Sequence, residues 1–317
     1  MMMKTIQSLL TLLTMLMTTA YLTLMERKML ASSQMRKGPN IVGIYGLLQP
    51  MADAIKLMMK ESMKHHKTTN MLFLLSPSLA IIMAMTAWSI IPLDYKHPQS
   101  DTKMGMMMLL TLSSLSIYTI LLSGWASNSK YALLGSIRAT AQMMSYEVCM
   151  GMMMLTVVSL SSSLNLSLMS INQNKMWYML PLLPMFIMFT MSSMAETNRT
   201  PFDLTESESE LVSGFNVEYS AMLFTLLFLA EYINMLLMAS MMSMLFLSGS
   251  NLVFLSNPSM LATKIMMMCY LFICMRATYA RMRYDQLMNL LWKSYLPLSL
   301  ALMILAPILE MSLMTYT

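Results

Sequence analysis

The sequence predicts an all-α polytopic membrane protein with eight transmembrane helices, a short amphipathic interfacial helix and a long acidic loop. Three observations carry this. The chain of 317 residues is 57% hydrophobic and only 11% charged, whereas soluble domains carry about a quarter charged residues. Its apolar runs exceed about 18 residues, the length that marks a membrane helix. They also lack the period-two alternation of barrel strands, so helices are left to satisfy the backbone in lipid.

The first element is "MMMKTIQSLLTLLTMLMTTAYLTLM", with 21 uncharged residues after Lys4. It is too long for a signal-peptide core and is followed by no small-residue cleavage site, so it is expected to be retained as a span. Charge-poor stretches place the spans at about 5–25, 71–93, 104–126, 135–160, 176–195, 219–248, 256–275 and 293–313. Pro258 and Lys264 sit in the first turns of the seventh, Glu147 lies within the fourth, and Glu231 is near the centre of the sixth. Between the first two spans, "LLQPMADAIKLMMKE" repeats Leu48, Met51, Ile55 and Met58 at helical spacing, with Asp53, Lys56 and Lys60 on another face. That pattern predicts a short helix lying along the membrane interface, started by Pro50. No internal repeat is visible, so residues 1–317 read as a single integral membrane domain.

An even number of spans puts both termini on one side. The loops after spans 1, 3, 5 and 7 hold fifteen of the twenty Lys and Arg residues, against five on the other face: Lys4, Lys96, Lys103, Lys175 and Lys264. By the positive-inside rule the odd-numbered loops face the matrix, or the cytoplasm of a bacterium. The elaborate loops are on that same face, which is where function is expected.

The acids are concentrated too. "AETNRTPFDLTESESELVSGFNVEY" (195–219) carries Glu196, Asp203, Glu206, Glu208, Glu210 and Glu218 against a single Arg199. The spacing i, i+3, i+7 of Glu196, Arg199 and Asp203 predicts an arginine between two carboxylates on one helix face. Crowding and burial both make proton exchange near neutrality accessible to carboxyl groups. With Glu147 and Glu231 inside the bilayer, a proton or cation path is expected. A structural hydrogen bond is the plainer alternative for each intramembrane glutamate, and a solvated surface is the plainer one for the loop.

Cys149, Cys269 and Cys274 form no C-x-x-C pair, and His65, His66 and His97 have no ligand spacing. No metal site, disulfide framework or nucleotide-binding motif is therefore expected, and no residue is assigned a covalent catalytic role. The residues alone leave open a self-sufficient proton or sodium transporter, although the missing repeat counts against one. The 48 methionines exceed what packing alone accounts for. Animal mitochondria read an extra codon as methionine, and a mitochondrially encoded chain would also lack a transit peptide.

Six stretches resemble one family: "ERKML", "QMRKGPNIVGIYGLLQPMADAIKL", "GWASNSKYALLGSIRATAQMMSYEV", the acidic stretch above, "AEYINM" and "RYDQLMNLLWKSYLPL". The chain is similar to the first membrane subunit of respiratory complex I, the proton-pumping NADH–ubiquinone oxidoreductase of the mitochondrial inner membrane. The resemblance implies an eight-helix, multi-pass subunit where the hydrophilic arm meets the membrane arm, with both termini on the intermembrane-space side. It implies ubiquinone as substrate, with flavin and iron–sulfur clusters held by partner subunits. The partners would be the hydrophilic quinone-site subunits, adjacent small membrane subunits and membrane lipids, with no nucleic acid. It places Glu26, Arg27, Arg36, Asp53, Arg276 and Arg281 at or near the quinone tunnel. Asp203, Glu206, Glu208 and Glu210 fall on an acidic loop beside the quinone cavity. Tyr146, Glu147, Glu196, Glu218 and Glu231 fall along a proton-coupling path. The chain departs from the usual pattern at Ser62, Ser207, Ala280 and the "ASS" of 31–33. A membrane-bound hydrogenase subunit is a related alternative, against which the methionine excess counts.

Overall fold

The computed structural model describes residues 2–63, 66, 68–93, 100–173, 176–205, 211–252 and 255–315. Lys64, His65, Lys67, Lys96, His97, Lys175, Glu206, Ser207, Glu208 and Glu210 lie outside the described residues.

The described chain is helical, apart from a hairpin of two-residue strands, β1 (Asn251–Leu252) and β2 (Leu255–Ser256). Its helices are α1 (Met2–Ser33), α2 (Gln49–Met59), α3 (Asn70–Ile90), α4 (Gly105–Ser127), α5 (Lys130–Ser161), α6 (Leu166–Asn172), α7 (Leu183–Glu196), α8 (Ala221–Phe246), α9 (Pro258–Thr278), α10 (Tyr284–Leu290) and α11 (Leu296–Thr315). Among the described residues, seven helical segments are long and apolar enough to cross a membrane, α10 and α11 counting as one through a π-helical turn at Leu291–Tyr295. Pro297 has no N–H to return to the carbonyl of residue 293, and the helix widens there.

The expected span at 176–195 is helical only over the 14 residues of α7, about 21 Å at 1.5 Å per residue. Pro181 and Pro184 confine the helix to its C-terminal part, because neither can donate to a preceding turn. The chain before it is held by turn bonds (Leu180 N–H to the Trp177 carbonyl, Leu182 N–H to that of Tyr178) and by Met179 N–H donating to the Phe246 carbonyl. Non-helical backbone at membrane depth persists only where protein satisfies it in this way.

α1 runs well past residue 25. Glu26, Arg27 and Lys28 therefore stand on its last two turns rather than on a loop. Gly46, at φ +75°, turns the chain towards α2 where a Cβ would meet the Pro39 carbonyl. α2 forms as the spacing predicts, entered through Pro50. Leu48, Met51, Ile55 and Met58 on its apolar face are all exposed.

The centre of the bundle is α8, which packs against α1, α3, α7 and α9 and is buried along nearly all of its second half. α5 packs against α4, α7 and α11. Gly135 on α5 lets the backbone of Gly214 come so close that a Cβ would sit 2.8 Å from its Cα. Methionines supply much of the core, among them Met150, Met153, Met185, Met241 and Met242. Their flexible thioethers fill irregular gaps and accept weak hydrogen bonds, as Met242 does from the Ser193 hydroxyl at 3.7 Å.

α9 starts at Pro258, a residue suited to a first helical position. Nearly two turns further, Lys264 is buried and its Nζ donates to the carbonyls of Leu247, Gly249 and Asn251 at 2.6–2.7 Å. It thereby caps the open C-terminal end of α8, with the Trp177 ring centroid 5.5 Å away.

Candidate functional site

The residues singled out in the sequence fall into two groups. The first is a polar knot joining α1, the start of the acidic loop, α8 and α9. Glu26 is buried on α1. Its Oε1 accepts from Nη1 of Arg276 in a very short contact and lies 3.6 Å from Nη1 of Arg199. Its Oε2 accepts from the Tyr232 hydroxyl at 2.6 Å. The Arg199 guanidinium lies over the Tyr232 ring, 4.2 Å from the centroid, a cation–π contact. Burial opposes the charge of Arg199, but Tyr232 and the carboxylates of Glu26 and Glu231 outweigh it, and its pKa is raised above the ordinary arginine value. Two of its nitrogens, Nε and Nη2, are buried without a hydrogen-bond partner.

This differs from the expected helix face. α7 ends at Glu196, and Arg199 lies in the turn that follows, with its N–H donating to the Met194 carbonyl. The spacing of Glu196, Arg199 and Asp203 therefore does not become a helical ladder. Asp203 instead pairs with Arg281 at 3.3 Å, and Met282 N–H donates to the Pro201 carbonyl, so the loop meets the α9–α10 connection. From the other side, Gln142 on α5 donates its amide to the carbonyls of Ala195 and Phe202 at 2.8 and 3.0 Å. That pair of bonds fixes the first eight residues of the acidic stretch.

At the edge of this region Arg27 pairs with Asp53 at 2.7 Å, tying α1 to α2, and Gln49 also donates to Asp53. Arg36 is not drawn in. It is exposed and donates to the Gln34 side chain at 2.9 Å. Beside the knot lie two apolar cavities open to the surface of the bundle, of about 630 Å³ between α1 and α9 and about 730 Å³ along α9. Met25 and Met266 line both, and Met25 is the residue before Glu26.

The second group is inside the bundle. Glu147 on α5 accepts from the Ser113 hydroxyl of α4 at 3.2 Å. Glu196 is buried, its Oε2 without a partner, and it lies close enough to Glu147 for their charges to interact. Ser113 and Glu196 line one cavity, of about 30 Å³, and Glu231 lines another of the same size. Tyr146 is fully buried with its hydroxyl unpartnered, its ring 6.2 Å from that of Phe202. Glu218 is half-buried ahead of α8 and joins neither cavity.

A family model described as NADH dehydrogenase matches residues 6–307. The chain belongs to the NADH dehydrogenase family. It is 52% identical over 290 residues to the NADH-ubiquinone oxidoreductase chain 1 of Metridium senile, covering 90% of this chain and 87% of that one. The proteins of the same name from Carassius auratus and Oncorhynchus mykiss are 50% and 49% identical over 293 residues. These cover 90% and 91% of this chain, and 88% and 90% of theirs.

Within this family member, sequence reasoning missed Tyr232, Gln142 and Ser113. Tyr232 had a signal, being a hydroxyl beside Glu231 in an otherwise apolar run. Gln142 and Ser113 had none, because their partners lie on other helices. Among the described residues, no three His, Cys, Asp or Glu side chains gather as a metal site.

Proposed function

We propose that this chain is a membrane subunit of the proton-pumping NADH:ubiquinone oxidoreductase of the mitochondrial inner membrane, and that it acts there without a redox centre of its own. Its part is to shape the path by which ubiquinone enters from the bilayer and to pass the effect of quinone reduction to buried carboxylates. The observation that carries the reading is the knot of Glu26, Arg199, Tyr232 and Arg276, set one residue from a methionine that lines two large apolar cavities. An isoprenoid tail suits the apolar cavities, and a polar headgroup suits charged and hydroxyl groups at the end of them.

The remaining assignments follow from the same picture. α7 and the turns before it make an eighth crossing, so residues 1–317 form one domain with both termini in the intermembrane space. α2 lies along the matrix interface, with its exposed apolar face in lipid and Asp53 held by Arg27. Arg27, Arg36, Asp53, Arg276 and Arg281 surround the quinone path, and Asp203, Glu206, Glu208 and Glu210 border its cavity. Tyr146, Glu147, Glu196, Glu218 and Glu231 carry the proton response. Flavin and iron–sulfur clusters belong to partner subunits, and hydrophilic subunits dock on the face bearing the acidic loop.

A photoreactive ubiquinone analogue tests the quinone path in the assembled complex. Labelling of α1 or α9 near Met25 and Met266, competed away by excess ubiquinone, is the expected result. Labelling confined to other subunits would contradict it.

A further inference from the structure

The two 30 Å³ cavities share a wall. Glu196 lines the first and Glu231 the second, while Ser116 of α4, Met143 of α5 and Asn234 of α8 line both. Each cavity has room for roughly one or two waters. What separates the two acid-bearing chambers is therefore these three side chains.

The three are chemically unequal. The Ser116 hydroxyl gives its proton to the Ser113 carbonyl at 2.7 Å, leaving only acceptor capacity. The Asn234 amide makes no hydrogen bond among the described residues, so both its donor and its acceptor are available to water in either chamber. Met143 offers a thioether, which is a weak acceptor and no donor, on a side chain with three rotatable bonds. Its sulfur is held at 3.6 Å by Nδ2 of Asn198. Asn198 stands at φ +51° in the turn after α7, immediately before Arg199.

We infer that Met143 is a movable plug between the Glu196 and Glu231 chambers, and that Asn234 is the hydrogen-bonding rung across the gap it leaves. The inference rests on the proposed role of these carboxylates in proton transfer and adds the point at which that transfer is controlled. Arg199 belongs to the knot around Glu26, so a shift of Arg199 carries Asn198 and withdraws its hold on Met143. The plug then swings, water joins the chambers, and a proton passes between a protonated and an ionised member of the Glu231–Glu196 pair through water that Asn234 holds by hydrogen bonds. With the plug in place the hydrogen-bonded chain is interrupted and no proton passes.

The test uses the assembled complex in proteoliposomes, measuring quinone-linked NADH oxidation and protons moved per electron. Asn234→Leu is close to isosteric and removes the rung. It should lower coupled turnover by roughly tenfold, the scale of leaving a buried polar step unmade, while Asn234→Ser retains most of it. Met143→Ala removes the plug and should lower protons per electron while electron transfer continues, and Met143→Leu, which keeps the bulk but offers Asn198 no sulfur to hold, should lower the proton yield less. Full proton yield in Met143→Ala would overturn the plug even if Asn234→Leu fails to assemble. Glu231→Gln separates the two levels. If it lowers the yield while the Asn234 and Met143 variants behave as wild type, the gate is wrong and the carboxylate reading stands. If Glu231→Gln pumps at full yield, the carboxylate reading itself falls and the gate with it.

Discussion

Glu26 and Arg276 are ion-paired across 250 positions of sequence, joining the C-terminal ends of α1 and α9. The pair has company, because Arg199 and Tyr232 converge on the same buried carboxylate. Both arginines lie against the Glu26 carboxylate, so removing its charge leaves the two cations facing each other, with Glu231 still acting on Arg199.

Glu26→Gln is therefore expected to destabilise the subunit strongly. Stranding a buried charge costs on the order of 3 kcal/mol, most of it at Arg199. The Arg276 side chain is about a third exposed, and water screens its share. A fall in the thermal midpoint of the purified complex, or loss of assembly, is the readout. Tyr232→Phe should act in the same direction and more weakly, by about 1.5–3 kcal/mol for one bond to a charged group.

The bridge between Arg27 and Asp53 should behave differently. The Arg27 side chain is 54% exposed, and exposed pairs contribute about 0.2–1 kcal/mol at most. Asp53→Asn is expected to leave the thermal midpoint nearly unchanged. Any effect belongs in the apparent KM for ubiquinone, which would indicate that α2 is positioned rather than stabilised by this bridge.

Lys264→Met should loosen the chain that leaves the C-terminal end of α8. The carbonyls of Leu247 and Gly249 lose the lysine donor, while that of Asn251 keeps the Ser248 hydroxyl at 2.7 Å, and each unmet group costs about 1–3 kcal/mol unless water reaches it. Amide hydrogen exchange across 247–252 should rise, with electron transfer through the quinone path largely kept. Unchanged exchange there would contradict the capping role.

Much of this arrangement is legible in the sequence. α3, α4, α5, α8 and α9 lie within a few residues of the runs that predict them, because length and apolarity decide a membrane helix. α2 follows from the spacing of Leu48, Met51, Ile55 and Met58. The charged residues of α1 are found at its end, although on the helix rather than beyond it. What the pattern hides is long-range partnership. Arg199 reads as a partner of its sequence neighbours Glu196 and Asp203, and turns instead to Glu26 and Tyr232 on other helices. The shortening of α7 was written in Pro181 and Pro184, but hydropathy averages over both. Lys264 reads as a charge on the outer face, whereas the carbonyls of Leu247, Gly249 and Asn251, just after α8, draw it inside.

Glu147→Gln, an isosteric change that removes only the ionisable proton, is the most direct test of carboxylate coupling. In the assembled complex, NADH oxidation by an artificial acceptor should be normal, since the proposed function assigns that chemistry to partner subunits. Quinone-linked turnover with proton transport should fall by about a hundredfold, the scale of losing one positioned acid–base group. Proton transport at the full ratio to electrons, in a complex that assembles normally, would contradict the account.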